Sequence, residues 1–381
     1  MVYINLLSLF SGIGAFERSL TNIGIDYNLI AYSEINKYAS TAYSAIHNVS
    51  EDKNLGDVSK IDFTQFDNVD MITHGSPCTS FSISGKQKGG DEGSGTKSSL
   101  MWHTVDAIDK TNPKYVIWEN VDNVLSNRHK HNFNKYLDRL KELGYKNYSK
   151  VINAKYWGVP QNRKRIFVVS IRKDIDNGFN FPISSLESNG QTSLFNDSLI
   201  DIEPKVLKDI LQNEVDEKYY LNIEVDLNKS DNILTAAFRG RYNKDGEINQ
   251  NLEVKDEQTT NALTNVQKDN VLLENIVCEQ RCDEGLRFFK DNICGTLRTI
   301  DSGGDKRVLE KEDAYYHIRK LTPLECFRLM GFKDKDYWRA RNVLETTYYN
   351  GRDRSDSQMY KMSGNSIVVN VLEYIFKELL F

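Results

Sequence analysis

A cysteine directly after a proline opens a loop crowded with Ser and Gly in THGSPCTSFSISGKQKGG, residues 73–90. Structural cysteines sit among apolar neighbours. Cys78 instead follows the apolar run of Val69, Met71 and Ile72 and precedes a polar segment. That placement suits a thiolate nucleophile at the mouth of a sheet. Glu119 ends the apolar stretch VIWEN, where desolvation raises a carboxyl pKa and favours the protonated acid. Such an acid suits a hydrogen bond to a ring nitrogen. Gln161, Arg163 and Arg165 alternate in QNRKRIFVV. A period of two places all three on one strand face, and guanidiniums so aligned suit a phosphate and a carbonyl oxygen.

A second constellation lies nearer the amino terminus. The turn FSGIG keeps Gly12 and Gly14 but lacks the third glycine of the dinucleotide spacing. Glu34 closes the strand-like YNLIAYSE, where a carboxylate accepts from ribose hydroxyls, and Asp57 in LGDVSK is placed for an adenine amino group. With no room for a pyrophosphate, the expected cofactor is a nucleoside without phosphates, S-adenosyl-L-methionine.

These residues need a sheet to hold them. YINLLSLF, YNLIAYSE, VDMITHG, KYVIWEN and RIFVVSI read as strands, and MWHTVDAIDK and FNKYLDRLKELGY as helices, with Gly144 as a stop. The βαβα alternation predicts an α/β fold with a mostly parallel sheet and helices on both faces, its ligands at the carboxyl ends of the strands. After residue 173 the texture turns polar, then into short strand-like pieces with RGRYNKDGE and DSGGDKR as loops. LTPLECFRLMGF carries Thr322 and Glu325 at capping-box spacing. GNSIVVNVLEYIFKELLF reads as a closing amphipathic helix from Gly364 and Asn365, with Val368, Val371, Leu372, Ile375 and Leu379 as its stripe. The expected division is a sheet-forming domain over 1–178, an irregular β-rich domain over 179–345, and a segment, 346–381, returning to the first domain.

The formal charge of -5 hides an asymmetry. From Tyr145 to Lys173 the chain carries eight Lys and Arg and no acid, whereas Leu186 to Asn232 holds eleven Asp and Glu against four Lys. A basic tract of this kind neutralises phosphates whatever the net charge. Five irregularly spaced cysteines fit reduced thiols and a cytoplasmic setting. Cys278, Cys282 and Cys294 have no fourth ligand at finger-like spacing, so no metal is expected. No apolar run reaches the roughly 20 residues of a membrane span, and the first residues lack the basic region of a signal peptide.

Taken in order, FSGIG, SEINKYA, GDVSKI, GSPCTSFSISGKQKG, ENV, QNRKRIF, RKLTPLECFRLMGF and GNSIVVNVL resemble the DNA (cytosine-5-)-methyltransferase family of bacterial and phage restriction-modification type. The resemblance covers about residues 1–172 and 318–375. It implies an S-adenosylmethionine-dependent, Rossmann-like methyltransferase fold. It further implies covalent attack of Cys78 on C6 of a flipped-out cytosine, with Glu119 on N3 and Arg165 on O2, Arg163 or Arg165 favouring the thiolate. Phe10, Gly12, Gly14, Glu34, Ile35, Asp57, Val58, Leu100, Asn365 and Ser366 would line the cofactor pocket. Ser82, Ser84, Gly85 and Gln87 would belong to the loop closing over the base, with Gly89 and Gly90 as hinges, and Gln161 and Arg163 would meet the DNA. Within the recognition region, Arg239, Arg241, Thr296, Arg298, Lys306 and Arg307 are the expected DNA contacts. Position 76 is Ser where relatives commonly carry Phe, and position 35 is Ile where an aromatic often stacks on adenine.

The implied partner is double-stranded DNA, with a cognate restriction endonuclease acting independently on the same site as an optional second, and a monomer is expected. The same chemistry on tRNA is the nearest alternative. The long recognition region, and the one Cys-Phe pair being followed by Arg328, favour DNA. A catalytically silent relative would have lost Cys78, Glu119 or Arg165, and all three are present.

Overall fold

The computed structural model describes residues 3–77, 81, 89–187, 199–221, 234–242, 248–255, 259–261, 263, 271–275, 277–281, 285–289, 304–305 and 316–381; between 221 and 318 it extends to side chains only at 259, 260 and 263. The site is carried by a six-stranded sheet. β1 (Tyr3–Leu9) leads into α1 (Ala15–Asn22), β2 (Asp26–Ser33) and α2 (Lys37–His47). β3 (Met71–His74), α3 (Trp102–Thr111), β4 (Tyr115–Val121), α4 (Lys130–Glu142), β5 (Tyr145–Asn153), β6 (Gln161–Asn162) and β7 (Lys164–Arg172) follow. The order across the sheet is β2-β1-β3-β4-β7-β5. The first four of these run parallel, and β7 is antiparallel to both β4 and β5. The sheet is therefore mostly parallel, as the alternation predicts.

Local sequence explains most of these elements. β3 is buried at every position, as a strand covered on both faces must be. Asn36 caps α2 by accepting from the N–H groups of Tyr38 and Ala39. Gly144, at φ 93°, ends the α4 segment in the left-handed region. β5 was not foreseen as a strand; it is the sheet edge, and only Lys146 and Ser149 along it are exposed.

The inserted region contributes β8 (Ile183–Ser184), β9 (Leu199–Ile200), β10 (Tyr220–Leu221), β11 (Leu234–Tyr242), β12 (Ile248–Lys255), β13 (Thr260–Asn261), β14 (Val271–Asn275), β15 (Val277–Arg281), β16 (Gly285–Phe289), β17 (Gly304–Asp305) and β18 (Tyr316–Lys320). An antiparallel sheet, β10-β18-β14-β11-β12, and a smaller one, β16-β15-β17, are its frame. Arg239 and Arg241, expected on a loop, lie on strand β11 opposite Asn251 and Asn249 of β12.

α5 (Pro323–Leu329), α6 (Asp334–Tyr349), α7 (Asp356–Asn365) and α8 (Val369–Leu380) complete the chain. Thr322 and Glu325 form the capping box read from sequence. The closing helix starts later than expected: Gly364 and Asn365 end α7, and α8 begins after Val368. α8 packs on α1 through Phe376 against Phe16 and through Glu373, which accepts from Asn22. α6, expected in the recognition domain, lies against α2, where Tyr348 meets Tyr38 and Thr41. Residues 199–221 also run along this body, with Ile202, Leu207 and Ile210 buried.

Candidate active site

Glu119 leaves β4 at the carboxyl end of the sheet, 8% exposed. Arg165, near the start of antiparallel β7, reaches it with Nε 3.1 Å from Oε1. That oxygen has no directed hydrogen bond, so the pair is a charge contact. Burial pushes the Glu119 carboxyl above its usual range, against the opposing charges of Arg165 and then Arg163. The carboxyl faces the Gly75 turn: a Cβ built on Gly75 would stand 3.8 Å from Glu119 Oε2 and 3.4 Å from Ile367 Cδ1.

The turn that precedes the nucleophile is anchored on several sides. Ser76 Oγ accepts from Trp118 Nε1 at 3.0 Å, and Asn120 Nδ2 donates to the Ser76 carbonyl at 3.1 Å. Ser98 Oγ donates to the Pro77 carbonyl at 2.8 Å. Cys78, Ser82, Ser84, Gly85 and Gln87 lie outside the described residues. Phe81 is buried, its ring edge-on to His129 and pressed against Gly90 so closely that a Cβ there would collide with it. Trp102 Nε1 donates to the Gly90 carbonyl and Thr96 Oγ1 to that of Gly89. Gly89 takes a positive φ of 79°, and Gly90 is the seat of Phe81.

The second constellation converges at the ends of β1 and β2. Phe10 and Gly12 both take positive φ, 53° and 57°, and the Gly12 N–H donates to Glu34 Oε2 at 2.9 Å. Glu34 Oε1 accepts from the Asn36 N–H, and burial pushes this carboxyl up against those backbone bonds. Asn54 ties the parts together: its Oδ1 accepts from the N–H groups of Glu34 and Gly56, and its Nδ2 donates to the Glu34 carbonyl. Asp57 follows, held below the usual carboxylate range by the Ser59 hydroxyl and N–H. Val58 is buried, Leu100 half-buried, and Ile35 stands 77% exposed beside Glu34. An exposed aliphatic side chain next to the Glu34 carboxylate suits the adenine and ribose of a nucleoside. Ser366 and exposed Asn365 lie on the α7–α8 turn, whose carbonyls at 364 and 366 accept from Arg163.

Two expected DNA contacts are enclosed instead. Gln161 is fully buried and donates to the Leu329 carbonyl, while its Oε1 accepts from the Leu263 N–H. Arg163 is 4% exposed and also donates to the Leu263 carbonyl. The chain turns tightly at this point, the Arg163 N–H donating to the Gln161 carbonyl between β6 and β7, while the charges of Arg163 and Arg165 both act on Glu119. The basic tract is likewise largely committed: Lys146 pairs with Asp176, Lys150 with Glu187 and Arg172 with Asp174. Thr296, Arg298, Lys306 and Arg307 lie outside the described residues, as do the side chains of Arg239, Arg241, Cys278, Cys282 and Cys294.

A family model described as C-5 cytosine-specific DNA methylase matches residues 4–380. The chain belongs to that family. The orphan methyltransferase M.SPRI of Bacillus phage SPR is 34% identical over 442 aligned positions, covering 99% of this chain and 97% of the relative. The type II methyltransferase M.HhaI of Haemophilus parahaemolyticus is 28% identical over 376 positions, 98% of this chain and 93% of the relative. The Entamoeba histolytica methyltransferase EhMeth superposes with a TM-score of 0.60 at 18% identity, and Dnmt2 of S. pombe with 0.58 at 16%, each over the whole of both chains. At such identities these two solved structures show a shared fold.

The methylase is thus a DNA (cytosine-5-)-methyltransferase with S-adenosyl-L-methionine as its methyl donor. Four residues that serve its site were not singled out from sequence: Asn54, Ser76 as an anchor, Ser98 and Asn120. Their only local signal is a polar side chain beside a motif. No helix among the described residues is long and apolar enough to cross a membrane.

Proposed function

We propose that the methylase acts through a covalent adduct between Cys78 and C6 of a cytosine flipped out of a specific duplex sequence. The observation that carries this is the buried Glu119 acid paired with Arg165 beside the Gly75-Ser76-Pro77 turn that leads to Cys78. Addition of the Cys78 thiolate to C6 moves electrons into the ring while Glu119 donates its proton to N3, giving an enamine nucleophilic at C5. Bound S-adenosyl-L-methionine supplies the electrophilic methyl group that C5 takes. Loss of the C5 proton to a base then expels the cysteine as thiolate, and return of the N3 proton to Glu119 restores the neutral aromatic ring and the acid. Arg165, at the same carboxyl, is placed for the cytosine O2. C6 is shielded by stacking in a duplex, so the base must leave the helix first.

Phe10, Gly12, Glu34, Ile35, Asp57, Val58, Leu100, Asn365 and Ser366 hold the cofactor in this reading, with Gly14 shaping the turn. Ser82, Ser84 and Gln87 approach the DNA from the nucleophile loop. Arg239, Arg241, Thr296, Arg298, Lys306 and Arg307 read or grip the target sequence. Relatives from Bacillus phages carry the name orphan methyltransferase and others the name type II methyltransferase, which supports protective methylation, alone or beside a restriction endonuclease acting independently on the same site; the protein works as a monomer in this reading. The test is to incubate the protein with labelled S-adenosylmethionine and either unmethylated duplex DNA or tRNA, then identify the labelled nucleoside. 5-Methyldeoxycytidine is expected. 5-Methylcytidine from tRNA alone would replace the substrate.

A further inference from the structure

We infer that Ser76 is a positioning residue for methyl transfer, its hydroxyl fixing the register between the nucleophile's turn and the strand that carries Glu119. This rests on the roles proposed above for Cys78 and Glu119. Both groups must meet one pyrimidine ring at once, sulfur at C6 and carboxyl at N3. They come from separate segments: Cys78 follows β3 in sequence, two residues after Ser76, and Glu119 lies on β4. A misplacement of about 1 Å in such an arrangement costs on the order of 100-fold in rate.

Ser76 is 4% exposed and sits at the junction. Its Oγ accepts from Trp118 Nε1 at 3.0 Å and from Asn120 Nδ2 at 3.3 Å, and Asn120 Nδ2 also reaches its carbonyl. Trp118 and Asn120 flank Glu119 and, by strand alternation, share the face of β4 opposite to it. One hydroxyl is therefore clamped to the neighbours of the catalytic acid on both sides.

The donors are themselves rigid. Trp118 is fully buried, stacked on His74 with ring centroids 5.8 Å apart and packed on Tyr136 and Phe133. Asn120 is also buried, and its Oδ1 accepts from the Val121 N–H. After Ser76 comes Pro77, whose φ is fixed by its ring and whose carbonyl is held by Ser98. Cys78 follows directly. A phenylalanine at position 76 offers no acceptor to an indole N–H, so this clamp is a property of the serine.

The test compares Ser76→Ala, Trp118→Phe and the double variant with the wild type, in kcat, KM for S-adenosylmethionine, and the rate of adduct formation on 5-fluorocytosine-containing duplex DNA. Ser76→Ala is expected to lower kcat and the adduct rate together, by about 10- to 100-fold, while cofactor KM and affinity stay within about twofold of the wild type. Trp118→Phe removes the donor that Ser76→Ala leaves without an acceptor, so the double variant should be slowed by less than the product of the two single effects. Wild-type adduct rates in Ser76→Ala would overturn the inference, as would full additivity in the double variant. A Cys78→Ser control separates the two readings: if it still methylates, the proposed chemistry fails, whereas an inactive Cys78→Ser beside a fully active Ser76→Ala removes only the role of Ser76.

Discussion

Arg165 Nε lies 3.1 Å from Glu119 Oε1, although 45 residues separate the two in sequence, because β7 runs antiparallel beside β4 and aligns Arg165 with Val121. The guanidinium opposes what burial does to this carboxyl. Glu119 is useful as a proton donor only while protonated, so activity is lost as pH rises through its raised pKa. Arg165→Ala removes the main charge that lowers that pKa. Its residual activity should therefore extend to higher pH than the wild type's, even as kcat falls by 10-fold or more, an order of magnitude set by general-acid effects of about 10²–10⁴. Single-turnover rates across pH would show this, and an alkaline limb moved to lower pH would refute it.

Gly14 tests the cofactor turn. It caps α1 at φ 79°, and a Cβ there would collide with His47 Nε2 and the Tyr43 ring. His47 cannot step aside freely, since its Nε2 bonds the Ile13 carbonyl at 3.0 Å and its ring packs on Tyr43. Gly14→Ala should destabilise the fold by about 1–3 kcal/mol and raise KM for S-adenosylmethionine more than it lowers kcat. Unchanged cofactor affinity would show that the turn does not shape the pocket.

His47 and His74 are held neutral by burial, each pushed down to about 3. Unfolded histidines titrate near 6.5. Between these values the unfolded chain binds more protons, so stability falls as pH drops below about 6.5, by about 1.4 kcal/mol per pH unit for each ring. Urea midpoints at pH 7, 6 and 5 would trace the slope. His47→Gln can still donate to the Ile13 carbonyl but cannot titrate, and its profile should flatten by one ring's share. An unflattened profile would mean that His47 is not buried neutral.

Arg319 and Glu325 form a bidentate pair at 2.8 and 3.0 Å, both essentially inaccessible. Glu325 also accepts from the N–H groups of Thr322 and Gln212. It therefore joins β18, α5 and the segment at residue 212. Glu325→Ala should cost about 3–5 kcal/mol, because it strips a buried guanidinium of its carboxylate. A loss below about 1 kcal/mol in urea unfolding would mean that the pair is more solvated than its burial indicates.

What could be read from sequence was local. β1, α1, β2 and the Thr322–Glu325 box follow from periodicity and capping, whose partners lie within a few residues. Arg163 shows where that reasoning stops: alternation offered it to the DNA, but its guanidinium is enclosed and donates to the carbonyls of Leu263 and Ser366, about 100 and 200 residues away. α6 was unread because it buries polar groups, Asp336 against Arg18 and Arg341 among Glu345, Asp353 and Asp356. Asn54 and Asn120 were missed for a related reason. Their work is to bond backbone 20 and 44 residues away, which no local pattern records.

The most direct test of the covalent account is to incubate the protein and S-adenosylmethionine with duplex DNA in which every cytosine is 5-fluorocytosine, then map the adduct by peptide mass spectrometry. Fluorine at C5 cannot leave as a proton does, so a true intermediate is trapped after methyl transfer. The account predicts one stable adduct, on the peptide carrying Cys78, that vanishes in Cys78→Ser. An adduct on another cysteine such as Cys326, or none from a preparation that methylates ordinary DNA, would contradict it.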